Sequence, residues 1–110
     1  MADYELRCPT DVSDVALVCR QLAERRMGDS SVKGIFHRSG PDCMTKYQMA
    51  MAMADVFGLS CGHVVADREP SVDARRPFNS RLDTTELEQM GIGKKTGFRE
   101  GIARAVKEFL

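Results

Sequence analysis

Two consecutive arginines ahead of a proline, Arg75-Arg76-Pro77, running into Phe78-Asn79-Ser80-Arg81-Leu82-Asp83, are the residues of this chain best suited to ligand chemistry. A guanidinium is a planar fork whose N–H groups match paired phosphate oxygens. Pro77 stiffens the backbone beside it. Arg75, Arg76, Asn79 and Ser80 are therefore the ligand-binding candidates, set against the plainer reading of a solvated arginine pair in an extended loop. The other motifs fall short. Gly91-Ile92-Gly93-Lys94-Lys95-Thr96-Gly97 superficially resembles a phosphate loop. A dinucleotide loop, however, follows a strand and opens a helix, so that backbone amides meet the pyrophosphate. Here the glycines follow a predicted helix, and a helix stop plus turn is expected. A tyrosine–lysine pair one helical turn apart, in which the cation lowers the phenol's pKa, is absent: Met51 follows Tyr47 at that spacing, and Cys8 follows Tyr4. No serine–histidine–acid constellation can be argued, so no catalytic residue is assigned.

Cys8, Cys19, Cys43 and Cys61 contain no Cys-x-x-Cys pair, and the sequence reading expects reduced thiols rather than bridges. Cys61-Gly62-His63 is the only near pair with a histidine, too little for a structural zinc, and no metal site is assigned. Sixteen basic and sixteen acidic residues give a formal charge of zero, which removes the basic surplus that nucleic-acid binding needs. No apolar run approaches the roughly 18 residues of a membrane span. Met1-Ala2-Asp3-Tyr4-Glu5 lacks the basic start and apolar stretch of a signal peptide. A cytoplasmic location, with the nucleus as the other compartment, is the expectation.

The elements that must position these residues follow from periodicity and punctuation. The chain of 110 residues reads as a single domain, or part of one. A first helix is expected over about Asp11 to Met27, with Val12, Val15, Ala16, Cys19, Leu22 and Ala23 as its core stripe. Thr10 or Asp11 is its cap, Arg25 and Arg26 suit its last turn, and Gly28 is its stop. Gly34 to Gly40 reads as a short strand in which His37 faces away from Phe36, and His63 to Asp67 as another. Thr45 and Gln48 form a capping box for a helix whose Met49, Ala50, Met53, Ala54 and Phe57 trace one face, ending at Gly58. Its methionines read as core filling rather than as an adaptable binding surface. A brief helix capped by Asp83 or Thr84 carries Leu87 and Met90. A final helix, about Phe98 to Phe109, places Phe98, Ile102, Ala105, Val106 and Phe109 on one face.

Taken in order, several blocks resemble the substrate-binding half of extended short-chain dehydrogenases of the dTDP-4-dehydrorhamnose reductase-like (RmlD-like) group. They are Pro9 to Ala16 through Arg20 to Glu24, Gly34 to His37, Met44 to Ala50, Arg76 to Asp83, Leu87 to Gly93, and Phe98-Arg99 with Gly101-Ile102. Val18 to Glu24 and Met44 to Tyr47 are most similar to the branch formed by the regulatory β subunits of methionine adenosyltransferase. The resemblance implies an α/β fold, the C-terminal substrate-binding part over residues 1–110, mostly helices with a few short strands and without the Rossmann half. It implies a non-catalytic regulatory protein whose partner is the catalytic α2 subunit, with S-adenosylmethionine synthesis as the process modulated. A nucleotide cofactor of the NADP type belongs to the family's N-terminal half, so none is expected in this chain. The family's C-terminal tail reaches the catalytic subunit, and Val106, Phe109 and Leu110 are the partner-binding candidates for the start of that contact. Without the covering half, a marginal or oligomeric fold is expected. Two alternatives stay open: the substrate-binding portion of a sugar-nucleotide reductase, and a truncated product without a function of its own.

Overall fold

Helix α1, Val12–Gly28, begins where the local chemistry favours it: the Asp11 carboxylate accepts the Ser13 amide at 2.8 Å, satisfying one free donor of the first turn. The computed structural model describes residues 1–109. Thr10 is not the cap. Its hydroxyl donates to the Cys8 carbonyl and accepts the Gly40 amide. Helix α2, Lys46–Phe57, opens on the complete Thr45/Gln48 capping box and closes on Gly58 at φ 64°, a left-handed position suited to glycine. Helix α3, Thr85–Gln89, follows Asp83, whose carboxylate accepts the Thr85 amide. Helix α4, Phe98–Val106, is shorter than expected and passes into a 3-10 turn over Lys107–Phe109.

α1 faces the other way from the expected stripe. Val12 is 81% exposed, and Val15, Ala16, Cys19 and Ala23 are exposed as well; of that stripe only Leu22 is partly covered. The buried side carries Asp14 and Val18, with Gln21 and Arg25 reaching across from it. Polar partners decide the choice. Asp14 accepts both the amide and the hydroxyl of Thr96, Gln21 accepts the Gly93 amide, and Arg25 donates to the Met90 carbonyl. Burying a carboxylate is tolerable only with such partners, and they orient the helix. Val18, Leu87 and Ile92 then form a small core, flanked by Leu22, Phe36 and Met90. α2 packs on α4, with Ala52 and Ala54 fully buried and the methionines of α2 half-buried.

Neither expected strand forms as such. Residues 34–40 form no regular element and pair with no backbone among the described residues, and Ile35 is 81% exposed. A segment without a hydrogen-bonded neighbour is not a strand. Of residues 63–67, Asp67 forms a single parallel bridge to Ala2, and the Val65 carbonyl accepts from the Met1 ammonium. Two further bridges, Leu6 with Asn79 (parallel) and Arg7 with Met44 (antiparallel), complete the pairing.

The Arg7–Met44 pair also overturns the expectation of reduced thiols. It sets the flanking Cys8 and Cys43 opposite each other, Cα atoms 4.2 Å apart, and they form a disulfide. Their sequence separation is 35, so no local spacing announced the pair. Cys19 and Cys61 are free. The radius of gyration is 16.9 Å, against about 13 Å for a compact domain of this size. Among the described residues no helix is long and apolar enough to cross a membrane.

With so thin a core, Leu87 at 1% exposure carries an outsized share of it. Leu87→Ala is expected to destabilise the chain by about 3 kcal/mol in urea unfolding. Val15→Ser on the uncovered face of α1 should change stability by less than about 0.5 kcal/mol. The opposite ranking would restore the original stripe.

Candidate functional site

The first seven residues act as a rail on which the Arg-Pro segment is laid. The Leu6 amide donates to the Phe78 carbonyl at 2.6 Å, and the Ser80 amide and hydroxyl both donate to the Leu6 carbonyl. The Tyr4 and Phe78 rings meet edge-on with centroids 5.1 Å apart, a favourable geometry for the aromatic quadrupoles. Arg7 donates from Nη1 to the Leu6 and Pro77 carbonyls. On the other side the Tyr47 amide donates to the Ala2 carbonyl and the Thr45 hydroxyl to the Asp3 carboxylate, which draws the start of α2 against the same rail.

Between these pieces lies a cleft of about 70 Å³ lined by Ala2, Glu5, Arg7, Lys46, Ser71 and Arg76. Three cations face one carboxylate. That carboxylate is already engaged: Glu5, 8% exposed, accepts the Ser71 hydroxyl at 2.6 Å and the Ser71 amide at 3.0 Å. These bonds, the hydroxyl's first, hold its pKa below the usual glutamate value of 4.5. Lys46 and Arg76 have no carboxylate partner among the described residues, whereas Arg20, Arg68, Lys95, Arg99 and Arg104 each do. The arrangement is suited to a small anionic group, a phosphate, sulfate or carboxylate. At about 70 Å³ it is far below the roughly 300–1,000 Å³ of sites that enclose whole organic ligands.

Of the four ligand-binding candidates, the structure brings only Arg76 to this cleft. Ser80 is spent on the Leu6 carbonyl, and Asn79 accepts the Arg81 amide in a local turn. Arg75 is exposed outside the cleft. The sequence reading missed Arg7, Lys46, Glu5 and Ser71. The signal was weak, since they lie up to tens of residues apart and only the bridges assemble them. Of the partner-binding candidates, Val106 is half-buried, Phe109 is 80% exposed, and Leu110 lies outside the described residues.

The Gly91–Gly97 segment is a helix stop and turn, as expected. Gly91 and Gly93 adopt φ of 67° and 94°. The amides of Gly93 and Thr96 are taken by Gln21 and Asp14, and that of Phe98 by Asp42. Those donors are therefore engaged by side chains of the chain itself.

Residues 1–110 match the family model described as the RmlD substrate binding domain over their whole length. The chain belongs to that family. Among the relatives it matches, this RmlD substrate binding domain is 51% identical over 112 residues to a protein named methionine adenosyltransferase 2 subunit beta from Mus musculus, and 52% identical to the Bos taurus protein of the same name. Both alignments cover 100% of the chain and 33% of the relative. A dTDP-4-dehydrorhamnose reductase from Sinorhizobium fredii is more distant, 33% identical over 92 residues, covering 77% of the chain and 31% of the enzyme. The chain thus spans about a third of the length of the curated relatives it matches.

Two measurements probe the cleft. Inorganic phosphate followed by amide chemical shifts should bind with Kd on the order of 1–10 mM. Arg76→Ala or Lys46→Ala should weaken that binding about 3-fold each, the scale of one exposed ion pair. Saturation without perturbing Arg7, Lys46 or Ser71 would place the anion elsewhere. The second is a pH test. Because Glu5 has a lowered folded-state pKa, its contribution to stability is full above 4.5 and lost as pH falls through that lower value. The melting advantage of the native chain over Ser71→Ala should therefore be present at pH 7 and shrink by pH 3.

Proposed function

We propose that this domain is the RmlD-type part of a methionine adenosyltransferase β subunit, a non-catalytic protein that binds the catalytic subunit and modulates S-adenosylmethionine synthesis. The observation that carries the reading is identity of 51–52% along the whole chain to proteins of that name, against 33% along part of it to a reductase. The geometry is consistent with a binding role. The outward face of α1, with Val12, Val15 and Cys19, and the unpaired Ile35 leave apolar surface uncovered, the kind of surface that protein contacts use. Phe109 adds an exposed aromatic near the end of the chain. On this reading a nucleotide cofactor of the NADP type is held by a part of the β subunit other than this domain, and the site of action is cytoplasmic or nuclear.

A second reading, the substrate-binding portion of a sugar-nucleotide reductase, draws on Arg76 and its neighbours in a cationic cleft. The size of that cleft supports one phosphate group rather than a whole nucleotide sugar. The deciding experiment is co-purification of the chain with a methionine adenosyltransferase catalytic subunit, followed by a synthesis assay on the mixture. The expected outcome is a complex with Kd below roughly 50 µM, a shifted reaction rate, and weaker binding for Phe109→Ala. A chain that is folded by circular dichroism yet forms no complex at that concentration refutes the first reading. Binding of a dTDP-sugar that Arg76→Ala abolishes would establish the second.

A further inference from the structure

We propose that Cys8 and Cys43 are a reversible thiol–disulfide couple that controls how firmly the N-terminal rail is held against α2. The bond joins two of the three segments that supply the cleft cations: Arg7 precedes Cys8 directly, and Lys46 lies three residues beyond Cys43, while Arg76 comes from elsewhere. Both cysteines are half-buried rather than enclosed in the core. The bond is also a staple rather than the sole tie. The Arg7 and Met44 backbones exchange two hydrogen bonds of 2.9 and 2.7 Å, the Tyr47 amide donates to the Ala2 carbonyl, and Thr45 donates to Asp3. Opening the disulfide therefore leaves the rail docked by hydrogen bonds alone. The staple closes a loop across a sequence separation of 35 that includes all of α1, so its removal returns conformational freedom to a large part of the chain.

The co-reactant is a low-molecular-weight disulfide such as oxidised glutathione. The Cys8 or Cys43 thiolate attacks one of its sulfurs, forming a mixed disulfide and releasing one reduced small thiol. The second cysteine, losing its proton to solvent, displaces the other small thiol and forms the Cys8–Cys43 bond. Two cysteine thiols are oxidised, one small disulfide is reduced, and the reverse exchange reopens the staple. Cys19, exposed on α1, and Cys61, whose sulfur lies 3.4 Å from that of Met51, have no cysteine partner among the described residues and remain thiols throughout.

The test uses the full 110-residue chain in glutathione buffers from fully reduced to fully oxidised. Free thiols are alkylated and mapped by mass spectrometry, with thermal melting and amide hydrogen exchange read on the same samples. Oxidised chain should alkylate only at Cys19 and Cys61, and reduced chain at all four cysteines, with full return on re-oxidation. Reduction should lower Tm by about 10 °C and speed exchange at residues 1–8 more than in α1. Cys8→Ser and Cys43→Ser should behave like reduced chain in every buffer, while Cys19→Ser should switch like the native chain. The proposal is overturned if all four thiols alkylate at every glutathione ratio. It is equally overturned if the bond forms while neither melting nor exchange at residues 1–8 responds.

Discussion

Backbone hydrogen bonding by the first seven residues organises the tertiary structure. Met1, Asp3, Leu6 and Arg7 give or receive backbone bonds with Val65, Asp67, Phe78, Ser80 and Met44, and Ala2 accepts from the start of α2. These segments are spread between residues 44 and 80, and the bridges that tie them are isolated ones. A short backbone run with donors and acceptors on both sides can satisfy several otherwise unpaired loops at once, which the cost of leaving buried polar backbone unsatisfied strongly favours. The Arg-Pro segment, the start of α2 and the cationic cleft all take their positions from this rail.

The remaining cohesion is polar to an unusual degree for so small a domain. α1 is fastened by Asp14 to Thr96, by Gln21 to Gly93 and by Arg25 to Met90, with Val18 alone among its apolar side chains fully buried. Hydrogen bonds contribute about 1 kcal/mol each, but a buried group left without its partner costs more, so these ties specify orientation more than they add stability. Gly93 shows how closely the pieces meet. A Cβ there would fall 1.9 Å from the Arg38 guanidinium and 2.9 Å from Val18 Cγ2, so both side chains would have to move, and the φ of 94° favours glycine independently.

The elongated shape, the thin core and the exposed outer face of α1 belong together. A body with a radius of gyration of 16.9 Å and, among the described residues, only Val18, Ala52, Ala54, Leu87 and Ile92 as fully buried hydrophobic side chains has little interior to offer a longer apolar stripe. Val12, Val15 and Ile35 stay outside because no described element lies over them. The relatives that the chain matches are about three times as long.

Helix positions, and the ends of α1 and α2, were legible in the residues, because caps act within one turn: Asp11 on Ser13, the Thr45/Gln48 box, and Gly58 in the left-handed region are local chemistry, whereas α4 stops short of its expected end. The turn at Gly91–Gly97 was legible for the same reason, and the blocks from Pro9 to Ile102 were enough to suggest the family. Which face of α1 turns inward was not, since an apolar stripe says only that burial would be favourable, while Asp14 needed Thr96, far along the chain, to make the other face viable. Residues 34–40 look like a strand, but a strand exists only with a neighbour to bond. The Cys8–Cys43 pair and the grouping of Arg7, Lys46 and Arg76 depend likewise on bridges between distant segments. Sequence alone determined where the chain coils and stops; tertiary structure decided what those pieces bury and which charges meet, because both are set by contacts that no local window contains.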